Sequence, residues 1–324
     1  MKAIVQERFG PADVLRLADA DMPEAGPGEV VIRVHAAALN PYDWHMLRGD
    51  PRIARLIGVG LTRPKSRVAG IDAAGRVEAT GPDAGGLRPG DEVIGLAPGA
   101  FAEYALAKAD LVVPKPGGLS FEQAAAVPLA ATSALRAIQQ VGAVRSGHRV
   151  LVNGAGGGVG TFAVQIAAAL GAEVTGVCST RNVDLVRSIG AAHVIDYKTA
   201  DFTAGRVRYD VILDNVGNRP LRRLRQALAP TGTLVYNAGG SPGHLIGAVG
   251  AGVQVAVVNG FARQRLRVLG FVQKRADLLA VTGLIEAGQL TPVLDRAYPL
   301  AGAAEGVRYL ETGHARGKAV ITVT

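Results

Sequence analysis

Asn153-Gly154-Ala155-Gly156-Gly157-Gly158-Val159-Gly160 decides how this chain is read. It follows a continuous apolar run, Val150-Leu151-Val152, and opens a helical pattern that runs from Gly160 to Leu170. Glycines at a strand-to-helix joint let the backbone turn tightly and bring its N–H groups against a diphosphate, and the helix N-terminus adds positive potential. The strict spacing G-x-G-x-x-G fails, because the sixth position from Gly154 is Val159. The spacing Gly154-x-x-Gly157-x-x-Gly160 holds instead. A glycine-rich turn without a ligand is the plain alternative, and the strand–turn–helix context favours a dinucleotide.

Downstream, apolar strands alternate with amphipathic helices. Strands are expected at Glu173–Val177, Ala192–Ile195, Tyr209–Leu213, Gly232–Tyr236 and Arg267–Val272, with helices at Val183–Ile189 and Pro220–Leu228. That alternation means a parallel, doubly wound α/β sheet. Upstream, the first ~115 residues read as short strands broken by Pro and Gly, the texture of a small β-barrel-like domain. Met1–Val5, Val30–Val34 and Gly75–Ala79 read as strands, and Leu87–Ile94 as a turn feeding another. Asp50–Lys65 has no period and reads as a loop over a site. Ser120 with Gln123 three residues later fits a capping box that opens an Ala-rich helix. The final strand, Lys318–Val323, is expected to rejoin the first domain. The expected boundaries are 1–118, 119–272 and a return over 273–324.

The 324 residues, 48% hydrophobic and 19% charged, are enough for about two globular domains. A single cysteine, Cys178, rules out a disulfide framework, an iron–sulfur cluster and a thiolate-rich zinc site. The net charge of +8 suits an anionic cofactor. Seven Phe, seven Tyr and one Trp are too few for base-stacking platforms, so no specific nucleic acid is expected. Leu245–Val258 is apolar but 14 residues long with three glycines, too short to span a bilayer; it reads as a helix at an interface or beside the substrate cleft. With no signal-peptide pattern at Met1, the expected location is cytoplasmic.

The end of the second strand of the alternating region separates NAD from NADP. NAD sites carry an acidic residue there for the ribose 2′-OH. This chain has Cys178-Ser179-Thr180-Arg181. A hydroxyl and a guanidinium are ready for a 2′-phosphate, so NADPH is the expected cofactor, held by Ser179 and Arg181. Ser179 also suits a helix cap.

Five stretches in order resemble the zinc-free, quinone oxidoreductase-like branch of the medium-chain dehydrogenase/reductase superfamily. They are Asn40-Pro41-Tyr42-Asp43, Pro89-Gly90-Asp91-Glu92-Val93, Gly154–Gly160, Ala192-His193-Val194-Ile195-Asp196-Tyr197 and Gly317-Lys318-Ala319-Val320-Ile321. The resemblance implies a Rossmann-type doubly wound parallel sheet inserted in a GroES-like β-barrel catalytic domain, and a homodimer. It implies that Thr132, Tyr197, Asn215, Phe271, Val272 and Lys318 line the cofactor beside the cradle of Gly154, Ala155, Gly157, Gly158, Val159 and Gly160. Tyr197 and Lys318 would lie near phosphates or adenosine, and the backbones of Phe271 and Val272 near the carboxamide. Zinc-dependent relatives carry Cys where this chain has Asn40, and a G-H-E motif where it reads Gly70-Ile71-Asp72. His35 and His45 lack companions at ligand spacing, so no metal is expected.

Without a Lewis acid, an acceptor that delocalises the incoming charge suits the enzyme best. The expected reaction is NADPH-dependent hydride transfer to a quinone or an α,β-unsaturated carbonyl compound. The candidate catalytic residues are Asn40, Tyr42 and Asp43. Asn40 donates to the acceptor oxygen, orders the nicotinamide ribose, or merely caps the turn before Pro41. Tyr42 is a proton donor or a core residue. Asp43 pairs with Lys318 or caps a helix. Leu56, Ile57 and Leu61 are candidates for the substrate pocket. Three alternatives stay open: an enoyl-thioester reductase with a basic entrance at Arg48, Arg52, Arg55, Arg63 and Arg67, an alcohol dehydrogenase-like enzyme, and a non-catalytic NADPH-binding protein of the crystallin or RNA-binding kind.

Overall fold

Strands with one solvent-facing side pair most readily with antiparallel neighbours, and the early part of the chain does so. The computed structural model describes residues 1–50, 60–237 and 263–323. β1 (Lys2–Val5) pairs antiparallel with β2 (Arg16–Asp19). β3 (Glu29–Ala38), β4 (Asp72–Thr80), β5 (Glu92–Leu96), β6 (Tyr104–Lys108) and β7 (Val112–Pro114) join a second sheet, in which β4 runs along β3 from Val30 to Ala38 and β6 pairs with the other edge of β3 over Glu29 to Arg33. α1 (Pro41–Arg48) follows β3 directly, and the left-handed Gly49 ends it. The expected capping box opens α2 (Phe121–Ala125): Gln123 N–H donates to Ser120 Oγ at 3.2 Å, and Ser120 N–H to Gln123 Oε1 at 3.0 Å. α3 (Pro128–Leu135) comes next.

The alternating region then builds β8 (Arg149–Asn153), α4 (Gly158–Ala169), β9 (Glu173–Cys178), α5 (Val183–Ser188), β10 (His193–Asp196), β11 (Tyr209–Asp214), α6 (Leu221–Ala227), β12 (Leu228–Tyr236) and β13 (Arg265–Val268). The strand order is β10-β9-β8-β11-β12-β13 and every pairing is parallel. In order of appearance this is 3-2-1-4-5-6, the doubly wound dinucleotide-binding arrangement. Ile212, Leu213 and Leu151 at its centre are fully buried, as strands covered on both faces must be. The expected strand at 267–272 is displaced toward its start. β13 ends at Val268, because Leu269 N–H bonds Tyr236 O and the Arg136 guanidinium then collects the carbonyls of Gly270 and Val272.

α7 (Arg275–Glu286), β14 (Leu294–Pro299), α8 (Ala303–Glu311) and β15 (Lys318–Thr322) complete the described chain. β15 pairs antiparallel with β3 and parallel with β14, so the last strand rejoins the first sheet. The contacts divide the chain into two units. One is Met1–Thr132, Gln273–Gly288 and Pro292–Thr324; the other is Ser133–Val272 with Gln289–Thr291. Residues 119–132 thus cluster with the first unit, whereas the sequence grouped them with the second. Leu129 accounts for this: its side chain packs with Ile71 and Leu96, and its N–H donates to Asp72. Gln289–Thr291 go the other way, since Gln165 exchanges two hydrogen bonds with Thr291.

Candidate functional site

In the second unit the glycine stretch connects β8 to α4. Gly154 has φ +79°, a left-handed turn that starts the reversal. Gly160 stands where a Cβ would meet Gly154 O at 2.1 Å, so the helix sits directly on the loop. Gly157 is the N-cap of α4 and supplies no side-chain cap. A Cβ there would find only Gly154 O within reach, at 3.5 Å. The first N–H groups of α4, at Gly158, Val159 and Gly160, therefore need an outside acceptor. An open, uncapped helix start with positive potential fits a diphosphate. Ala155, fully buried, forms the floor of the loop.

The other residues expected around the dinucleotide fall into two groups. Ser179, buried, and Arg181, exposed, follow β9 as expected. Tyr197 is 40% exposed, and its N–H bonds Cys178 O, which sets it beside the same strand end. Beside them the sequence reading missed a carboxylate. Asp196 closes the neighbouring strand β10 in register with Cys178 and accepts the Thr180 hydroxyl at 2.6 Å. That hydrogen bond holds its carboxyl below the ordinary value. Asn215 follows β11, donates to Asn153 O at 3.2 Å and accepts from Asn237 at 2.8 Å, so its amide braces strand ends. Phe271 and Val272 lie beyond β13 with exposed side chains, and the Val272 carbonyl is already bonded to Arg136.

Two expected cofactor contacts belong to the first unit. Thr132 is buried and its hydroxyl lies 2.5 Å from Pro128 O and 3.0 Å from Gln273 Oε1. Lys318, expected beside phosphates or adenosine, is 3% exposed. Its ammonium donates to Leu39 O at 2.9 Å and to Asn40 Oδ1 at 2.5 Å, and lies 3.8 Å from Asp72 Oδ2. The carboxylate within 4 Å of it is therefore Asp72, and the charge of Asp43 also acts on it; the ammonium is buried inside this unit.

Lys318 completes a buried polar cluster at the start of α1. Asn40 Nδ2 donates to Ala38 O at 3.2 Å and to Asp72 Oδ2 at 3.0 Å. Both amide protons are thereby committed, which removes Asn40 as a donor to an acceptor oxygen. Asp43 caps the helix by accepting the Asn40 N–H at 2.7 Å. Asp72 Oδ1 accepts the Leu129 N–H at 3.1 Å. Asp72 is the member the sequence reading passed over. Its signal is a lone carboxylate opening the small-residue strand Asp72-Ala73-Ala74-Gly75.

Burial lifts Asp43 to about 7; the Asn40 N–H opposes the rise, Asp72 adds to it and Lys318 opposes it. Burial likewise lifts Asp72 to about 6, against Lys318, Asn40 and the Leu129 N–H. Burial pushes Lys318 down from the ordinary lysine value, and the two carboxylates pull it back up. Burial and the Asp43 charge raise the half-buried Tyr42 phenol.

A cavity of about 540 Å³ opens beside this cluster. Asp43, Tyr42, Ile71, Met46 and Val68 are in its wall, with Gln6 and Lys65 as further polar members. Leu61, expected to line a pocket, is 65% exposed and outside that wall. Leu56, Ile57, Arg52, Arg55 and the Leu245–Val258 run lie outside the described residues. Arg48 and Arg67, two of the expected entrance arginines, are in ion pairs with Glu311 and Glu7.

The donors in the first unit do not fit a zinc ion. The Asn40 amide is saturated, Ile71 offers no donor, and an ammonium stands 3.8 Å from Asp72. No group of three His, Cys, Asp or Glu side chains at ligand spacing occurs among the described residues. Nor is any described helix long and apolar enough to cross a membrane.

Residues 26–117 match the model of the alcohol dehydrogenase GroES-like domain, and residues 189–321 that of the zinc-binding dehydrogenases. The mitochondrial NAD(P)H oxidoreductase RTN4IP1 of Bos taurus is 34% identical over 100% of this chain and 89% of its own length. A chloroplastic quinone-oxidoreductase homolog of Spinacia oleracea is 30% identical over 96% of this chain and 95% of its own. The quinone oxidoreductase of Coxiella burnetii superposes with a TM-score of 0.87 at 33% identity, covering 100% of this chain and 99% of that one. Two of these relatives are organellar by name, one mitochondrial and one chloroplastic, which contradicts the cytoplasmic expectation. The reason is simple: absence of a secretory pattern does not distinguish one compartment from another. Glycine cradle, strand order, split first domain and matched relatives agree, and the chain belongs to the quinone oxidoreductase-like medium-chain dehydrogenase/reductases, as an oxidoreductase that takes a nicotinamide cofactor.

Proposed function

We propose that the protein uses NADPH to reduce a quinone or an α,β-unsaturated carbonyl compound without a metal. The observation that supports this reading is the Asn40–Asp72–Lys318 cluster, whose hydrogen bonds occupy the Asn40 amide and whose cation is an ammonium; by the resemblance, Asn40 and Gly70-Ile71-Asp72 are the positions where zinc-dependent relatives carry metal ligands. Conjugated acceptors need no Lewis acid, because the charge that hydride brings spreads onto oxygen. NADPH, when bound, supplies the hydride. The chain's own residues do the rest: the α4 N-terminus and Gly157–Gly160 hold the diphosphate, and Arg181 with Ser179 receives the 2′-phosphate. The apolar cavity wall around Ile71 and Val68 keeps water from a flat acceptor.

Asp196 favours a second reading, NADH, since its carboxylate lies beside the strand end where a ribose 2′-OH would be bound. A steady-state comparison of NADPH and NADH with quinones, enones and enoyl thioesters decides. The expected outcome is at least about a tenfold preference for NADPH, lost in Arg181→Ala through KM. Equal use of both dinucleotides by the wild type removes the NADPH assignment. Turnover confined to enoyl thioesters removes the quinone and enone assignment.

A further inference from the structure

Hydride reduction of a carbonyl-conjugated acceptor also consumes a proton, and the cavity wall holds two acidic hydroxyls that face it, the Tyr42 phenol and the Asp43 carboxyl. Burial raises the phenol above its ordinary value and makes it the weaker acid, which leaves the carboxyl. Two carboxylates, Asp43 and Asp72, are buried against a single ammonium, Lys318. With all three ionised the cluster would keep a net negative charge away from water; one bound proton makes it neutral. The two carboxylates are not equivalent. Asp72 accepts from Leu129 N–H on one oxygen and from Asn40 Nδ2 on the other, which also faces the ammonium. Asp43 accepts the Asn40 N–H, and it alone of the pair is in the wall of the 540 Å³ cavity. The carboxylate with more hydrogen-bond donors and the nearer ammonium keeps its charge, so the proton falls to Asp43. The charged and titratable groups around Asp43 are Tyr42 on its own helix α1, Asp72 from β4, Lys318 from β15 and, in the cavity wall, Lys65.

We propose that Asp43 stores this proton and delivers it to the acceptor oxygen, a step that rests on the hydride-transfer reading above. Hydride addition places an electron pair on that oxygen. The Asp43 O–H bond then breaks and an O–H bond forms on the acceptor, giving a hydroquinone, or an enol that relaxes to the ketone. The carboxylate left behind is held by the Asn40 N–H and the charge of Lys318 until solvent returns a proton through the cavity. Cofactor, acceptor and one proton thus give oxidised cofactor and reduced acceptor, with no other reagent.

The test has an arm that needs no turnover. Infrared difference spectra of the full chain without cofactor, titrated between about pH 5 and about pH 9, should show a buried protonated carboxyl that ionises near neutrality. The band should be missing in Asp43→Asn, whose amide can still accept the Asn40 N–H. It should be missing in Asp72→Asn as well, because Asp43 then faces Lys318 alone and ionises. A band kept in either variant, or absent from the wild type, overturns the proposal. In steady state, Asp43→Asn should lower kcat on the order of a hundredfold and lose the alkaline decline of the wild-type profile, with NADPH binding by fluorescence unchanged. A variant that turns over with the wild-type profile also overturns it. A wild type that reduces no acceptor refutes the hydride-transfer reading, and the infrared arm then decides by itself whether Asp43 is the proton store.

Discussion

A methyl group at Gly160 would fall 2.1 Å from Gly154 O and 2.8 Å from Ala155 Cα, both backbone atoms with no rotamer to yield. Gly160→Ala should therefore destabilise the protein by about 1–3 kcal/mol and lower its Tm. Gly157→Ala meets nothing closer than 3.5 Å and should melt like the wild type. It should nonetheless lose dinucleotide affinity, because the methyl occupies the space a diphosphate needs. Thermal unfolding with a fluorescence titration of NADPH separates the two, and normal binding by Gly157→Ala would place the diphosphate elsewhere. The Gly154-x-x-Gly157-x-x-Gly160 spacing carries these roles in the sequence because they depend only on neighbours within the loop.

Asp43 gives a pH prediction at the same scale. Its carboxyl rises from the ordinary 3.8 to about 7 in the fold, so between those values the folded chain holds a proton that the unfolded chain has released. The fold therefore loses stability from this group as pH rises through that window, the reverse of a salt-bridged aspartate. Relative to wild type, Asp43→Asn should gain stability between about pH 5 and about pH 8, by about 2–3 kcal/mol or several degrees in Tm. A melting difference that is flat with pH would contradict this.

At the scale of elements, Lys318 joins three pieces of chain: β15 that carries it, β4 through Asp72, and the β3–α1 corner through Leu39 and Asn40. Lys318→Met keeps much of the side-chain volume but strands two buried carboxylates. The expected loss is about 3–5 kcal/mol near neutral pH, shrinking in acid as the carboxylates take up protons. Denaturant unfolding at two pH values checks both parts. Asn40 and Asp43 were readable as polar residues of one short motif, whereas Lys318 was set beside the dinucleotide by the resemblance alone and Asp72 stood only as the end of Gly70-Ile71-Asp72, with no role. The partners are 32 and 278 residues away from Asn40, beyond the reach of any local pattern. β13 was misplaced for a related reason. The apolar run continues to Val272, and what stops the strand is Arg136, more than a hundred residues earlier.

For the whole molecule, the succession of strands and helices was legible because a covered parallel sheet demands continuous apolar strands, a signal that needs no partner to be seen. The allotment of 119–132 was not, since Leu129 is settled by contacts to β4 and β5. A ligand that binds only the folded chain raises its stability in proportion to the logarithm of occupancy. NADPH at about a hundredfold its Kd should add about 2.7 kcal/mol, and NADH at equal concentration less. Thermal shifts of equal size for both would argue against discrimination at Arg181.

The placement of β15 between β14 and β3 also has a consequence for how the protein is made. Leu39 and Lys318, 279 residues apart, must meet before the first sheet is finished. All six strands of the other sheet are consecutive in the chain. As a nascent polypeptide leaves the ribosome, the six-stranded parallel sheet has all it needs while the seven-stranded one still waits for a late strand. The glycine cradle is thus assembled before the proton-holding cluster, and a truncation ahead of residue 318 should strand the opening third of the protein as a substrate for chaperones.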